Sequence, residues 1–166
     1  MFWTDWGRVP KIERSFLNGD GRTSIVSSGL VWPNDVTVDL KNKMIFWVEA
    51  YIIDKIETAD YNGHRRTKLV EYRRLHMFSV TYYERSVYWS DWYTRNIQAL
   101  NTSNNSSSVS TFVVPGKKLM GVTMLEKTSQ PNGKILFDEM LHLLNISKVF
   151  IVEKTKDTDV LVVSPS

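Results

Sequence analysis

A tryptophan motif returns along this 166-residue chain at a nearly constant interval, and no other feature restricts its fold as severely. Phe2-Trp3-Thr4-Asp5 recurs as Phe46-Trp47-Val48-Glu49 and again as Tyr88-Trp89-Ser90-Asp91, so the tryptophans stand 44 and then 42 residues apart. Val36-Thr37, Val80-Thr81 and Val122-Thr123 form a second series with the same two steps. Between the first two units Lys11-Ile12-Glu13 returns as Lys55-Ile56-Glu57, Asn18-Gly19 as Asn62-Gly63, and Arg22-Thr23 as Arg66-Thr67. Self-similarity in several independent positions implies a unit that folds the same way each time and buries its faces against its neighbours.

Each unit holds four short stretches rich in β-branched and aromatic residues, separated by turn chemistry such as Asn18-Gly19-Asp20-Gly21 and Asn62-Gly63. In the second unit the pattern predicts strands near Asp35 to Asp39, Met44 to Val48, Asp54 to Asp60 and Thr67 to Val70. Apolar alternation within them is partial, as in strands covered on both faces. Four strands in such a period make one propeller blade. The aromatic content of 12% suits pleated strands. The units lack the three-and-four apolar spacing of paired helices, which excludes a helical repeat.

Little in the sequence points to catalysis. His64, His76 and His142 share no zinc spacing, and there is no nucleophile elbow or glycine-rich phosphate loop. The absence of cysteine removes disulfides and thiolate metal sites. A net charge of +3, scattered along the chain, gives no ground for a nucleic-acid partner. No run of about 18 apolar residues is present, and Met1-Phe2-Trp3-Thr4-Asp5 is not the basic stretch and apolar core of a secretory leader. The expectation is therefore a chain with no cofactor and no metal, and not an enzyme.

The tetrapeptides resemble the Tyr-Trp-Thr-Asp (YWTD) repeat of the low-density-lipoprotein-receptor family. Phe2-Trp3-Thr4-Asp5-Trp6-Gly7, then Pro10-Lys11-Ile12-Glu13-Arg14, Asn18-Gly19 before Arg22, Leu30 and Trp32-Pro33-Asn34 together look like one complete family repeat. Gly121-Val122-Thr123 followed by Ser129-Gln130-Pro131-Asn132-Gly133 is similar to the family's exit from its last blade. The resemblance implies an all-β fold: a partial YWTD-type β-propeller of four-stranded antiparallel sheets, about three of six blades, over residues 1–133. A cysteine-rich epidermal-growth-factor-like module is then expected. Residues 134–166 depart from that pattern as a divergent tail of unknown structure, read as acquired by truncation or altered splicing; the alternative is a short helix near 137–144 with strands near 149–152 and 160–163. Three blades of six leave open sheet edges, which predicts that the isolated chain associates.

The resemblance also assigns roles. Trp3, Trp47 and Trp89 are expected to be plates between adjacent sheets, each indole N–H meeting a local acceptor. Asp5 and Asp91 are expected to accept hydrogen bonds from neighbouring turns, and Glu49, one methylene longer, to fix its blade less well. Where the family carries Gly two residues after the inner-strand Pro, this chain has Asp35 and Ser79, which puts the turn geometry there in doubt. Relatives dock protein ligands on the broad face near the central channel, and the matching positions are Arg14, Trp32, Asn34, His76, Phe78 and Trp92. For Trp32 and Trp92 packing at the blade edge stays open beside ligand contact. His76 in an interface would couple binding to endosomal pH. Asn101, Asn104, Asn105 and Asn145 begin N-glycosylation sequons, a mark of secreted surfaces.

The implied function is an extracellular ligand-binding module of an endocytic or signalling receptor, on the outer face of the plasma membrane and in endosomes after internalisation. Lipoprotein, vitellogenin or Wnt-pathway proteins are the candidate ligands, and neighbouring blades and epidermal-growth-factor-like modules the structural partners. A secreted nidogen-like matrix protein is the alternative, and a metal-dependent propeller enzyme a remoter one.

Overall fold

The structure is a computed structural model that describes residues 1–103, 108–112, 119 and 121–123, together with the backbone of 113, 124–125, 148–153 and 159–164. It is built of antiparallel strands joined as consecutive meanders. β1 (Phe2–Asp5), β2 (Lys11–Arg14) and β3 (Thr23–Val26) form a three-stranded sheet. β4 (Pro33–Asp39), β5 (Met44–Glu49), β6 (Ile53–Asp60) and β7 (Thr67–Arg73) form a complete four-stranded blade. β8 (Met77–Tyr83), β9 (Ser86–Asp91), β10 (Asn96–Asn101) and β11 (Val109–Val113) form a second complete blade. β12 (Gly121–Leu125) opens a further unit, in which it pairs with β14 (Asp159–Ser164) and β14 with β13 (Lys148–Glu153). The expected all-β partial propeller is the fold observed, and the four strands read from the second unit lie within β4 to β7.

The sheets are stacked by the alternation of their central strands. Along β5, Ile45 and Trp47 join Ile12 and Val26 of the preceding sheet in one core cluster, whereas Phe46 and Val48 join Val80, Val87 and Trp89 of the following blade in another. Both faces of β5 are thus covered, which is why its sequence reads as a nearly continuous apolar run. Trp47 and Trp89 are fully buried between sheets. Their indole N–H groups, however, find no hydrogen-bond acceptor among the described residues, contrary to expectation. The physical reason is the company they keep: apolar side chains close around both rings, and the Arg66 guanidinium lies over the Trp47 ring at 5.3 Å. Arg22 covers the half-buried Trp3 in the same way at 5.4 Å.

Charged residues lock neighbouring sheets together. Arg66 binds Glu57 through two nitrogens, at 3.1 and 2.6 Å, and also donates to the carbonyls of Ser28 and Gly29 in the connection from the preceding sheet. Burial alone would raise the Glu57 carboxyl, but Arg66 and Lys55 outweigh it and hold Glu57 below the ordinary range.

At Asp35 and Ser79 the structure replaces the doubtful glycine turn with a bulge. The strand register shifts between Pro33 and Asp35 and between Met77 and Ser79, and neither residue takes a positive φ. The two side chains form a ladder across the inner strands. Asp35 accepts from Ser79 Oγ at 2.6 Å and from the Val80 N–H at 2.9 Å, and Ser79 Oγ accepts from the Val122 N–H at 3.3 Å. The strands given as the alternative for the tail, near 149–152 and 160–163, correspond to β13 and β14, while the helix of that alternative, near 137–144, lies outside the described residues.

Candidate ligand-docking face

Strand direction decides which residues share an end of the blades. β1, β5 and β9 all terminate at the motif acid, Asp5, Glu49 or Asp91. The inner strands β4 and β8 begin opposite those ends, since Pro33 pairs with Glu49 and Met77 with Asp91. One end of the stack therefore gathers the turns after the motif acids and the connections that cross from an outer strand to the next inner strand.

The motif acids pin those connections. Asp91 accepts from the His76 N–H at 2.8 Å and, through its other oxygen, from the Thr94 N–H and hydroxyl at 2.6 and 2.8 Å. Glu49 accepts from the N–H groups of Val31 and Trp32 at 2.9 and 3.2 Å, so the longer side chain reaches the turn that corresponds to the one held by Asp91. Its second oxygen is buried with no partner among the described residues. Burial raises the Glu49 carboxyl, and the two N–H bonds and Lys55 only partly offset this. Asp5 accepts from the Gly7 N–H at 2.9 Å within its own turn.

Above these acids lie two aromatic groups. In the first, Trp6 and Trp32 stand 6.1 Å apart and Trp32 meets Tyr51 edge-on at 4.6 Å. Trp6 is 60% exposed and Trp32 39%. In the second, Trp92 stacks on Phe78 at 4.6 Å and faces the His76 ring at 4.9 Å. Asn34 lies between the groups, its side-chain amide donating to the Met77 carbonyl at 3.2 Å while its own carbonyl accepts from the Thr4 hydroxyl. The structure thus brings Trp32, Asn34, His76, Phe78 and Trp92 to one end. Arg14 is not among them. It pairs with Phe2 at the start of β1, at the opposite end, and donates to the Tyr61 carbonyl at 2.9 Å.

Trp6 and Tyr51 were not singled out from the sequence, although the signal was there. Trp6 lies 44 residues before Ala50, itself 42 before Trp92, so the repeat register alone places Trp6 where Trp92 stands. Asp54 was also missed. It is completely buried beneath this end, accepts from the Met77 N–H at 3.4 Å and has one oxygen without a partner among the described residues. Burial, with the Asp91 charge nearby, pushes its carboxyl up to about 6.

Of the sequon residues, Asn101 is exposed at the end of β10 opposite Ser86, away from the aromatic groups. Asn104, Asn105 and Asn145 lie outside the described residues. No group of three or more metal-ligating side chains occurs among the described residues.

Residues 1–40 match the model of the low-density lipoprotein receptor repeat class B. Residues 1–40 thus carry a repeat of the low-density-lipoprotein-receptor class. The chain is 29% identical over 133 residues to the vitellogenin receptor Yl of Drosophila melanogaster, covering 80% of this chain and 7% of that protein. It is 44% identical over 96 residues to the human low-density lipoprotein receptor-related protein 4, covering 58% of this chain and 5% of that protein. The YWTD chain described here thus spans a small part of the length of these receptors. Among solved structures, a chain in a nidogen/laminin complex superposes with a TM-score of 0.64 at 30% identity, covering 72% of this chain and 45% of that one.

Proposed function

We propose that this chain is an extracellular docking module of a low-density-lipoprotein-receptor-type receptor, binding secreted proteins through the Trp32 end of its blades. The observation that carries the reading is the pair of aromatic groups, Trp6–Trp32–Tyr51 and His76–Phe78–Trp92, gathered at one end by turns from successive sheets. Tryptophan and tyrosine contribute large contact areas at low entropic cost and dominate binding hot spots. Connections pinned by buried carboxylates present them without having to be ordered on binding. That favours recognition over catalysis, and neither group contains the nucleophile-and-base pairing that a reaction would need.

The names of the relatives indicate the candidate ligands. Vitellogenin and lipoprotein come first, from the receptors matched above, and Wnt-pathway proteins follow from the resemblance of the repeats alone. The whole protein would present the module on the outer face of the plasma membrane, beside further blades and epidermal-growth-factor-like modules, and would carry it into endosomes. The nidogen likeness supports a second reading, a secreted matrix-interaction protein whose partner would meet the same face.

The test is surface plasmon resonance of vitellogenin, low-density lipoprotein and laminin over the immobilised chain and its Trp32→Ala/Trp92→Ala variant. One of the three should bind, and the variant should weaken it by at least about tenfold, as expected for an aromatic hot spot. Binding that ignores both substitutions would refute this face as the docking site.

A further inference from the structure

We propose that the Trp32 end of the blades takes an acidic polypeptide segment carrying an apolar anchor; this rests on reading that end as the docking face and adds the chemical class of what docks there. Two observations converge on it. The first is a segregation of charge. Arg8, Arg73, Arg74 and Arg95 are all exposed around the aromatic ground, Arg8 in the β1–β2 turn, Arg73 and Arg74 together where β7 runs into the β7–β8 connection and Arg95 in the β9–β10 turn. None makes an ion pair among the described residues, although Glu71 lies within electrostatic range of Arg73. The carboxylates of this end are buried or already engaged: Glu71, exposed near Arg73, pairs with Lys68. Glu49, Asp54 and Asp91 are buried, and Asp5 is turned to the Gly7 N–H and to Lys11 at 3.9 Å.

The other end of the blades differs. It mixes Asp20, Asp60 and Glu84 with Lys41, Lys43, Arg65 and Arg85, so cations there stand beside acids that reach the surface, Asp60 and Arg65 pairing at 3.4 Å, and it displays the Asn101 sequon. The overall charge of +3 therefore does not explain four arginines on one end that have no ion pair among the described residues. Such a one-sign field steers and selects an anionic partner even where each exposed charge adds little affinity.

The second observation is what lies between the arginines. Trp6 and Ile52 are 60% and 65% exposed, and Tyr93 76%, so the ground they form needs an apolar partner to be covered. A sulfated polysaccharide would leave it wet. Nucleotide bases need flat ring faces to stack on, whereas Trp32 and Tyr51 meet at 67° and their neighbours include branched aliphatic side chains. An acidic segment with one aromatic or aliphatic anchor satisfies both features.

Panning a phage-displayed library of random short peptides on the intact chain, with counter-selection on the Trp32→Ala variant, tests this. Clones that need Trp32 should be rich in Asp and Glu beside an apolar anchor. They should bind about tenfold more weakly to an Arg74→Glu/Arg95→Glu variant, whose exposed substitutions leave the fold intact, and should be released by about 0.5 M salt. Trp32-dependent clones that are neutral or basic would overturn the acidic class while leaving the docking face standing. If no clone distinguishes wild type from Trp32→Ala, the docking face itself fails and this proposal with it. A heparin fragment that needs Trp32 and binds more tightly than every acidic clone would replace the polypeptide by a polysaccharide.

Discussion

The tryptophans at 47 and 89 are buried on every side, and their immediate partners show how a repeat can stack sheets that differ in sequence. Arg66 serves three contacts at once, to Glu57, to the Trp47 ring and to the preceding sheet's carbonyls. The equivalent Arg22 keeps the first two, binding Glu13 at 3.2 and 2.7 Å. Asp54 belongs to a different category, because its charge is penalised by the fold. A carboxyl raised to about 6 binds its proton more tightly in the folded than in the unfolded chain, so it destabilises progressively as pH rises from about 4 to about 6 and fully above that. Glu57, held low, works in the opposite sense and loses its stabilising effect as pH falls through its folded pKa. Asp54→Asn keeps an acceptor for the Met77 N–H and abolishes the penalty. Urea unfolding should find the variant more stable than wild type at neutral pH by about 1–2 kcal/mol, with no difference of that kind below about pH 4. An equal loss of stability at every pH would show that Asp54 is not held in this state. The motif tryptophans and the turn-binding role of their acids were legible in the sequence because the repeat marks them. The state of Asp54 was not, since it depends on Asp91 and Met77, which arrive from the next blade.

At the level of strands, the inner-strand ladder explains how this chain does without glycine at two of its blades. Asp35 and Ser79 use their side chains to bond the neighbouring inner strand, and the bulge before each aims them there. Strand spans in the second unit were readable from β-branched and aromatic runs bounded by Asn-Gly turns, and the ends fell within a few residues. Bulges and strand direction were not readable, because neither leaves a mark in local composition, and that is why Arg14 could be grouped with residues at the other end. The Asn-Gly turns offer an internal comparison. Gly19 and Gly63 occupy equivalent positions with φ of 90° and 80°. A Cβ on Gly19 would meet open space, whereas one on Gly63 would run into the Ile25 carbonyl of the preceding sheet. Gly19→Ala should therefore cost only the left-handed backbone strain, about 1 kcal/mol, and Gly63→Ala at least about 2 kcal/mol more, since it also pushes two sheets apart. Equal destabilisation of the two in chemical denaturation would mean that the sheets are not packed as described.

At the scale of the whole molecule, the described residues form two complete blades, with a three-stranded sheet before them and the inner strand of a further unit after them, stacked through tryptophans and presenting unlike ends. Recurrence in the sequence was enough to give this architecture, because a period of 44 and 42 residues with four strands has few other solutions. The functional end was only partly legible: its aromatic residues could be named, but the arginines without an ion pair among the described residues come together only when three separate connections are brought to one end. Hydroxyl-radical footprinting of the intact chain, read by mass spectrometry at each tryptophan, tests the stacking most directly and needs no substitution. Trp47 and Trp89 should resist oxidation, Trp3 should react at an intermediate rate, and Trp32 and Trp6 should react fastest. Oxidation of Trp47 and Trp89 as rapid as that of Trp6 would contradict the stacked-blade structure and, with it, the docking face built on top.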